Sequence, residues 1–186
     1  MGQELLAAGE VAGRVCAGLV FVLAATQKAQ HWRIFSAVLA NYRLLPRALV
    51  TPAAALLPPV EMLVGILLLS AQIRPFGALA AIALLSLFAA AMAINLKRGR
   101  SEIDCGCGHS FLKQNLSWLL VGRNAGIAAL LIPSLVFTRA MPAAVILTGV
   151  AAGLGFFLLY LLLNVFSALP PVKAHTTTGL PEGAPC

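Results

Sequence analysis

The chain has 186 residues, 60% of them hydrophobic and only 10% charged. Water cannot solvate so apolar a surface, so an ordinary soluble domain is excluded and the lipid bilayer is the expected solvent. The net charge of +7 fits basic residues placed at lipid headgroups, and with no basic run interleaved with aromatics nucleic acid is excluded as a partner.

The N-terminal stretch Met1–Glu10 carries two acids and no base. That is the reverse of a cleavable signal, so the first apolar segment is expected to stay in the membrane. Val11–Ala29 is the first predicted span, with Arg14 near its start and Lys28 at its end, both expected to snorkel to the interface. Cys16 lies inside it and reads as a small apolar side chain. His31–Pro46 differs. Phe35, Val38, Tyr42 and Leu45 share one helical face, while Arg33, Ser36, Asn41 and Arg43 fall elsewhere. Trp32 and Tyr42 have the character of interface aromatics. The segment predicts a short amphipathic helix on the membrane surface, ended by Pro46.

Ala53–Ala71 is the second span, interrupted by Pro58-Pro59 and by Glu61. An acid inside an apolar segment must face the protein interior with a partner, or be protonated. After a tight connection holding Arg74, Phe76–Ile94 is a charge-free span long enough for a bilayer core of about 30 Å. Lys97-Arg98-Gly99-Arg100 ends it. Leu116–Phe137 is the fourth span, with Arg123 and Asn124 inside and Pro133 expected to kink or end it. Ala143–Phe166 is the fifth, with Gly149, Gly153 and Gly155 available for close helix packing. The resulting fold class is an all-α integral membrane protein. It is a bundle of about five transmembrane helices with one interfacial amphipathic helix, over residues 1–168. The Pro- and Thr-rich remainder, 169–186, reads as a disordered tail. Cys186 ends it without the three following residues that a prenylation box needs.

Reactive chemistry concentrates between the third and fourth spans, in Asp104-Cys105-Gly106-Cys107-Gly108-His109. A turn at Gly106 can bring the two cysteines to disulfide distance. So small a ring closes almost no chain, so it staples little and suits relay or exchange. A protonated His109 would favour a thiolate and Asp104 would oppose it. Three readings stay open: exchange of disulfides with another thiol protein, binding of a soft metal by Cys105, Cys107 and His109, and inert cysteines. The metal reading is one ligand short of a closed zinc site. Inside the membrane, Lys28, Glu61 and Arg123 form either a polar cluster that tunes a proton or quinone site or a helix-packing ion pair.

The run Ile94-Asn95-Leu96-Lys97-Arg98-Gly99-Arg100, followed by Ile103-Asp104-Cys105-Gly106-Cys107-Gly108, resembles the methylamine utilisation protein MauE family. The likeness extends to Lys28, to Pro58 and Glu61 with Gly65, and to the five-span layout, over about Val11–Phe166. The Glu-x-x-x-Gly part is shared with the wider DoxX-like membrane proteins. Family members often continue Cys-Gly-Cys with Phe-Gly, whereas Gly108-His109-Ser110 follows here.

The resemblance implies a role in maturing the disulfide-rich β subunit of periplasmic methylamine dehydrogenase, beside a thioredoxin-like partner of the MauD type. Cys105 and Cys107 would then be the redox pair, with thiol–disulfide exchange as the activity. A non-catalytic membrane chaperone or transport factor for the same subunit, a soft-metal carrier and a quinone-linked thiol oxidant, with a quinone as its possible cofactor, are the alternatives. Inner-membrane location with a periplasmic cysteine loop is implied as well. Charge counting opposes it. Lys28, Arg33, Arg43, Arg47, Lys97, Arg98, Arg100, Lys113 and Lys173 fall on the side of the loop, against Arg14, Arg74 and Arg139 on the other. The positive-inside rule would place that loop in the cytoplasm.

Overall fold

The computed structural model describes residues 2–70, 73–103, 115–136 and 142–168. These residues are helical apart from short connections. The helices are α1 (Gly2–Gln30), α2 (Trp32–Asn41), α3 (Arg47–Leu69), α4 (Arg74–Lys97), α5 (Trp118–Leu130), α6 (Pro133–Val136) and α7 (Ala143–Ala168). Five segments are long and apolar enough to cross a membrane: α1, α3, α4, α5 together with α6, and α7. The chain is thus an all-helical, multi-pass bundle. Its outward leucines and phenylalanines, such as Leu119 and Phe156, are what a lipid-facing surface requires.

α1 is the central strut, packed against both α3 and α7. Small residues let these helices approach closely. A Cβ on Gly65 would lie 2.8 Å from Val22 Cγ2 and 3.0 Å from the Gly18 carbonyl oxygen. Where α7 meets α1, a Cβ on Gly149 would lie 2.6 Å from Val11 Cβ, and one on Gly153 2.8 Å from the Ala12 oxygen. Gly155 has nothing within 4 Å of its Cβ position, so it takes no part in the close packing expected of all three α7 glycines. The core around α1 joins Ala17 and Phe21 to Val64 and Leu68 of α3, to Ala78, Ala81 and Leu85 of α4, and to Leu131.

Three helices differ from the sequence reading, each for a local reason, and the fourth span agrees with it. α1 begins at Gly2, because Glu10 and Arg14 are buried together (1% and 6% exposed) instead of flanking the span. Arg14 does not snorkel. Its Nη1 donates to the Leu68 oxygen at 2.8 Å and the Ser70 oxygen at 3.2 Å, satisfying carbonyls at the C-terminus of α3 that no helix turn can reach. α3 runs unbroken through Pro52, Pro58 and Pro59, since proline's fixed φ is helical and only single backbone bonds are lost. α2 stops at Asn41, because Arg43 adopts φ +50°, and Pro46 instead caps the start of α3. The fourth span does break near Pro133, into α5 and α6.

α2 is amphipathic, and its apolar face is packed against the bundle. Phe35, Val38 and Tyr42 are buried, whereas Leu45 is 39% exposed. Tyr42 is thus an interior residue, not an interface aromatic. Val38 and Tyr42 form a second core cluster with Met92 of α4 and with Leu116 and Leu120 at the start of α5.

Candidate functional site

Cys105, Cys107 and His109, the residues the sequence singles out for chemistry, lie outside the described residues, as does the tail from 169. The two ends of their loop are described, and both are firmly held. α4 ends in a glycine cap: Gly99 has φ +72°, its N–H donates to the Leu96 oxygen, and the Arg100 N–H donates to the Asn95 oxygen, both at 3.0 Å. These are the paired bonds of a Schellman motif, and only glycine takes the left-handed conformation without strain. Asn95 is fully buried. Its Nδ2 donates to the Ala91 oxygen at 3.1 Å, and its Oδ1 accepts from Arg100 Nη1 at 3.4 Å. Beyond the cap, the Leu116 N–H donates to the Ile103 oxygen at 3.1 Å, tying the two stems together. Leu116 and Ile103 join the Val38–Tyr42–Met92 cluster. The Asn-Leu-Lys-Arg-Gly-Arg run is therefore a rigid helix terminus, from which the cysteine segment departs and to which it returns.

Inside the bundle, Lys28 and Glu61 meet. Lys28 Nζ donates to Glu61 Oε1 at 2.5 Å, with side-chain exposures of 7% and 1%. Lys28 does not snorkel either. Its ammonium lies 5.2 Å from the centre of the Phe88 ring and 5.5 Å from that of Phe35, a cation held between two aromatic faces. Arg123 is placed apart from this pair. Its Nη1 donates to Asn164 Oδ1 at 2.7 Å, its guanidinium stacks 5.4 Å from the Tyr160 ring, and Asn164 Nδ2 donates to the Tyr160 backbone carbonyl at 2.7 Å. The two groups face each other across a narrow cavity of about 30 Å³. Glu61, Arg123 and Asn124 line that space, and Glu61 Oε2, Arg123 Nε and Asn124 Nδ2 have no hydrogen-bond partner among the described residues. It is room for about two waters, set among one acceptor and two donors.

On the other side of Lys28 a larger cavity of about 210 Å³ opens between α1, α2, α3 and α4. Phe35, Tyr42, Phe88, Ala91 and Met92 form its wall, and among the described residues Lys28 is the one charged residue on it. Sequence reading did not find this cavity, nor the parts played by Phe88, Asn95 and Asn164. The heptad-like face of α2 was a signal for Phe35 and Tyr42, but nothing local marks Phe88, one apolar residue among many in α4. Glu10 was missed too, although its spacing to Arg14, one helical turn, is that of an ion pair.

Comparison with known proteins places the chain in a family. Residues 5–138 match the family described as methylamine utilisation protein MauE. A protein named methylamine utilization protein MauE from Paracoccus denitrificans is 40% identical over 171 residues, covering 89% of this chain and 90% of the relative. Its namesake from Methylorubrum extorquens is 42% identical over 168 residues, covering 86% and 89%. That of Methylophilus methylotrophus is 34% identical over 163 residues, covering 83% and 84%. No solved structure matches the chain significantly. With a family match over most of the chain and full-length relatives at this identity, the chain belongs to the MauE family of methylamine utilisation proteins.

Proposed function

We propose that this chain is a membrane redox accessory protein that helps form or correct disulfides in the β subunit of methylamine dehydrogenase. Cys105 and Cys107 are the exchanging pair, His109 tunes their thiolates, and a thioredoxin-like protein of the MauD type is the partner. In each exchange a thiolate of the pair attacks a sulfur of the incoming disulfide, a mixed disulfide forms, and the second cysteine displaces the departing thiolate. The protein sits in the inner membrane, residues 1–168 form its membrane domain, and the cysteine loop faces the periplasm, where the client matures.

The observation that carries the reading is the mounting of the loop. A two-apart cysteine pair follows a Schellman-capped helix and a backbone-pinned stem, so a small, exchange-prone motif is presented from rigid supports. The surplus of bases on the same side does not oppose a periplasmic loop as strongly as a count suggests. Lys28, one of those bases, is spent in a buried ion pair.

A trapping experiment in intact cells tests both parts. The Cys107→Ser chain, left with Cys105, should accumulate a reducible adduct whose partner is identified by mass as a thioredoxin-like protein. Prior treatment of the cells with a membrane-impermeant thiol reagent should abolish it. No adduct from either single variant contradicts the exchange role, and an adduct that survives the impermeant block contradicts the periplasmic side.

A further inference from the structure

We infer that the larger cavity is the binding site of a membrane quinone, with Lys28 donating a hydrogen bond to one quinone carbonyl. The chemical assignment rests on the redox reading above; the binding site itself does not.

The cavity narrows the choice of ligand by elimination. Its lining is apolar except for Lys28 and the phenol of Tyr42, so the ligand is mainly apolar. Leu87 and Leu45 lie on the lining and are 60% and 39% exposed, so the opening is toward the lipid-facing surface and the ligand arrives from the bilayer. The Lys28 ammonium is already neutralised by Glu61 at 2.5 Å. A carboxylate or phosphate would therefore add an uncompensated charge to a buried site, which is costly. A neutral acceptor adds none. A plain acyl chain would use neither the ammonium nor the flat walls made by Phe35 and Phe88. A planar neutral ring with carbonyl oxygens uses both, and about 210 Å³ is space for a ring and its small substituents, not for a drug-sized ligand.

Position supplies the second argument. Val38, Tyr42 and Met92 line the cavity, and the same side chains pack on Ile103 and Leu116, the two stems of the cysteine loop. The proposed quinone site and the anchor of the thiol pair thus share one wall. The reaction balances without another reagent. Two S–H bonds break and one S–S bond forms between Cys105 and Cys107. The two electrons and two protons released convert both quinone carbonyls to hydroxyls. Lys28, beside the oxygen on which negative charge builds as electrons arrive, stabilises that charge.

The test uses the full-length Cys105→Ser/Cys107→Ser protein in lipid nanodiscs, so that binding is read without thiol chemistry. The probe is a short-tailed, azido-substituted benzoquinone. Saturable photolabelling is expected in peptides from α2 and α4. Excess decyl-substituted benzoquinone should displace it, and the same excess of phospholipid should not. Lys28→Gln should weaken binding about tenfold, the loss expected for a charge-assisted hydrogen bond. Ala91→Phe, which fills the cavity and leaves the Lys28–Glu61 pair in place, should abolish it. The site is refuted by labelling spread along the exposed face of α7, by equal displacement with phospholipid, or by saturable labelling unaffected by Ala91→Phe. Failure here counts against the quinone site alone, while failure to trap an adduct from the single-cysteine chains counts against the redox role alone.

Discussion

Replacing Glu61 by Leu should lower the protein's stability by about 3–5 kcal/mol, the usual effect of stranding one member of a buried ion pair. Lys28 is largely shielded from water, since its side chain is 7% exposed and its nitrogen sits between the Phe35 and Phe88 rings. Those rings retain part of the cation's stabilisation but cannot replace a carboxylate. Removing the charge from both positions, as Lys28→Met with Glu61→Leu, should bring stability back to within about 1 kcal/mol of the parent, because a well-packed apolar pair loses nothing to desolvation. Chemical unfolding in mixed micelles of the parent, the two single variants and the double variant closes the cycle. If the double variant is as unstable as Glu61→Leu alone, the loss arises from packing around Glu61 and the ion pair is not its source.

The second large effect is steric. Gly153→Leu should destabilise the bundle by about 3 kcal/mol or detach α7 from α1. A Cβ there would stand 2.8 Å from the Ala12 carbonyl oxygen and 2.8 Å from Val15 Cβ. The first of these is helix backbone, which cannot swing away as a long side chain would. Gly155→Leu is the matched control, two residues along the same helix, with nothing within 4 Å of its Cβ position. It should be neutral or slightly stabilising, because leucine is the better helix former. Thermal midpoints of the two variants, measured in the same detergent, should separate clearly. Equal midpoints would show that α7 is not seated on α1 through Gly153.

Hydropathy made the five spans legible, because each is a run of apolar residues between charges or prolines. It failed where charge is buried. Arg14 looked like a snorkelling residue since its hydrogen-bond acceptors, the Leu68 and Ser70 carbonyls, lie more than fifty positions away in sequence. Lys28 looked like a helix-end anchor for the same reason: Glu61 is on another helix. The end of α2 was misplaced because proline was taken as the stop, whereas a left-handed Arg43, a conformation rare outside glycine and asparagine, ended the helix first. The Gly99 cap was not read from the sequence, although a glycine behind basic residues at the end of an apolar segment is the usual C-cap signal. The cavity beside Lys28 was illegible because its wall is assembled from four helices, and none of the apolar residues that contribute to it is distinctive in its own segment.

The motif that led to the MauE family thereby gains a physical reason. Asn95 and Gly99 cap α4, Gly65 admits α1 against α3, and Lys28 pairs with Glu61. These residues build the support, and the proposed chemistry is left to Cys105 and Cys107. Accumulation of the methylamine dehydrogenase β subunit tests that division of labour most directly. In cells where the Cys105→Ser/Cys107→Ser chain replaces the parent and reaches the membrane in equal amount, the β subunit should fail to accumulate. Normal β-subunit levels in those cells would contradict the account.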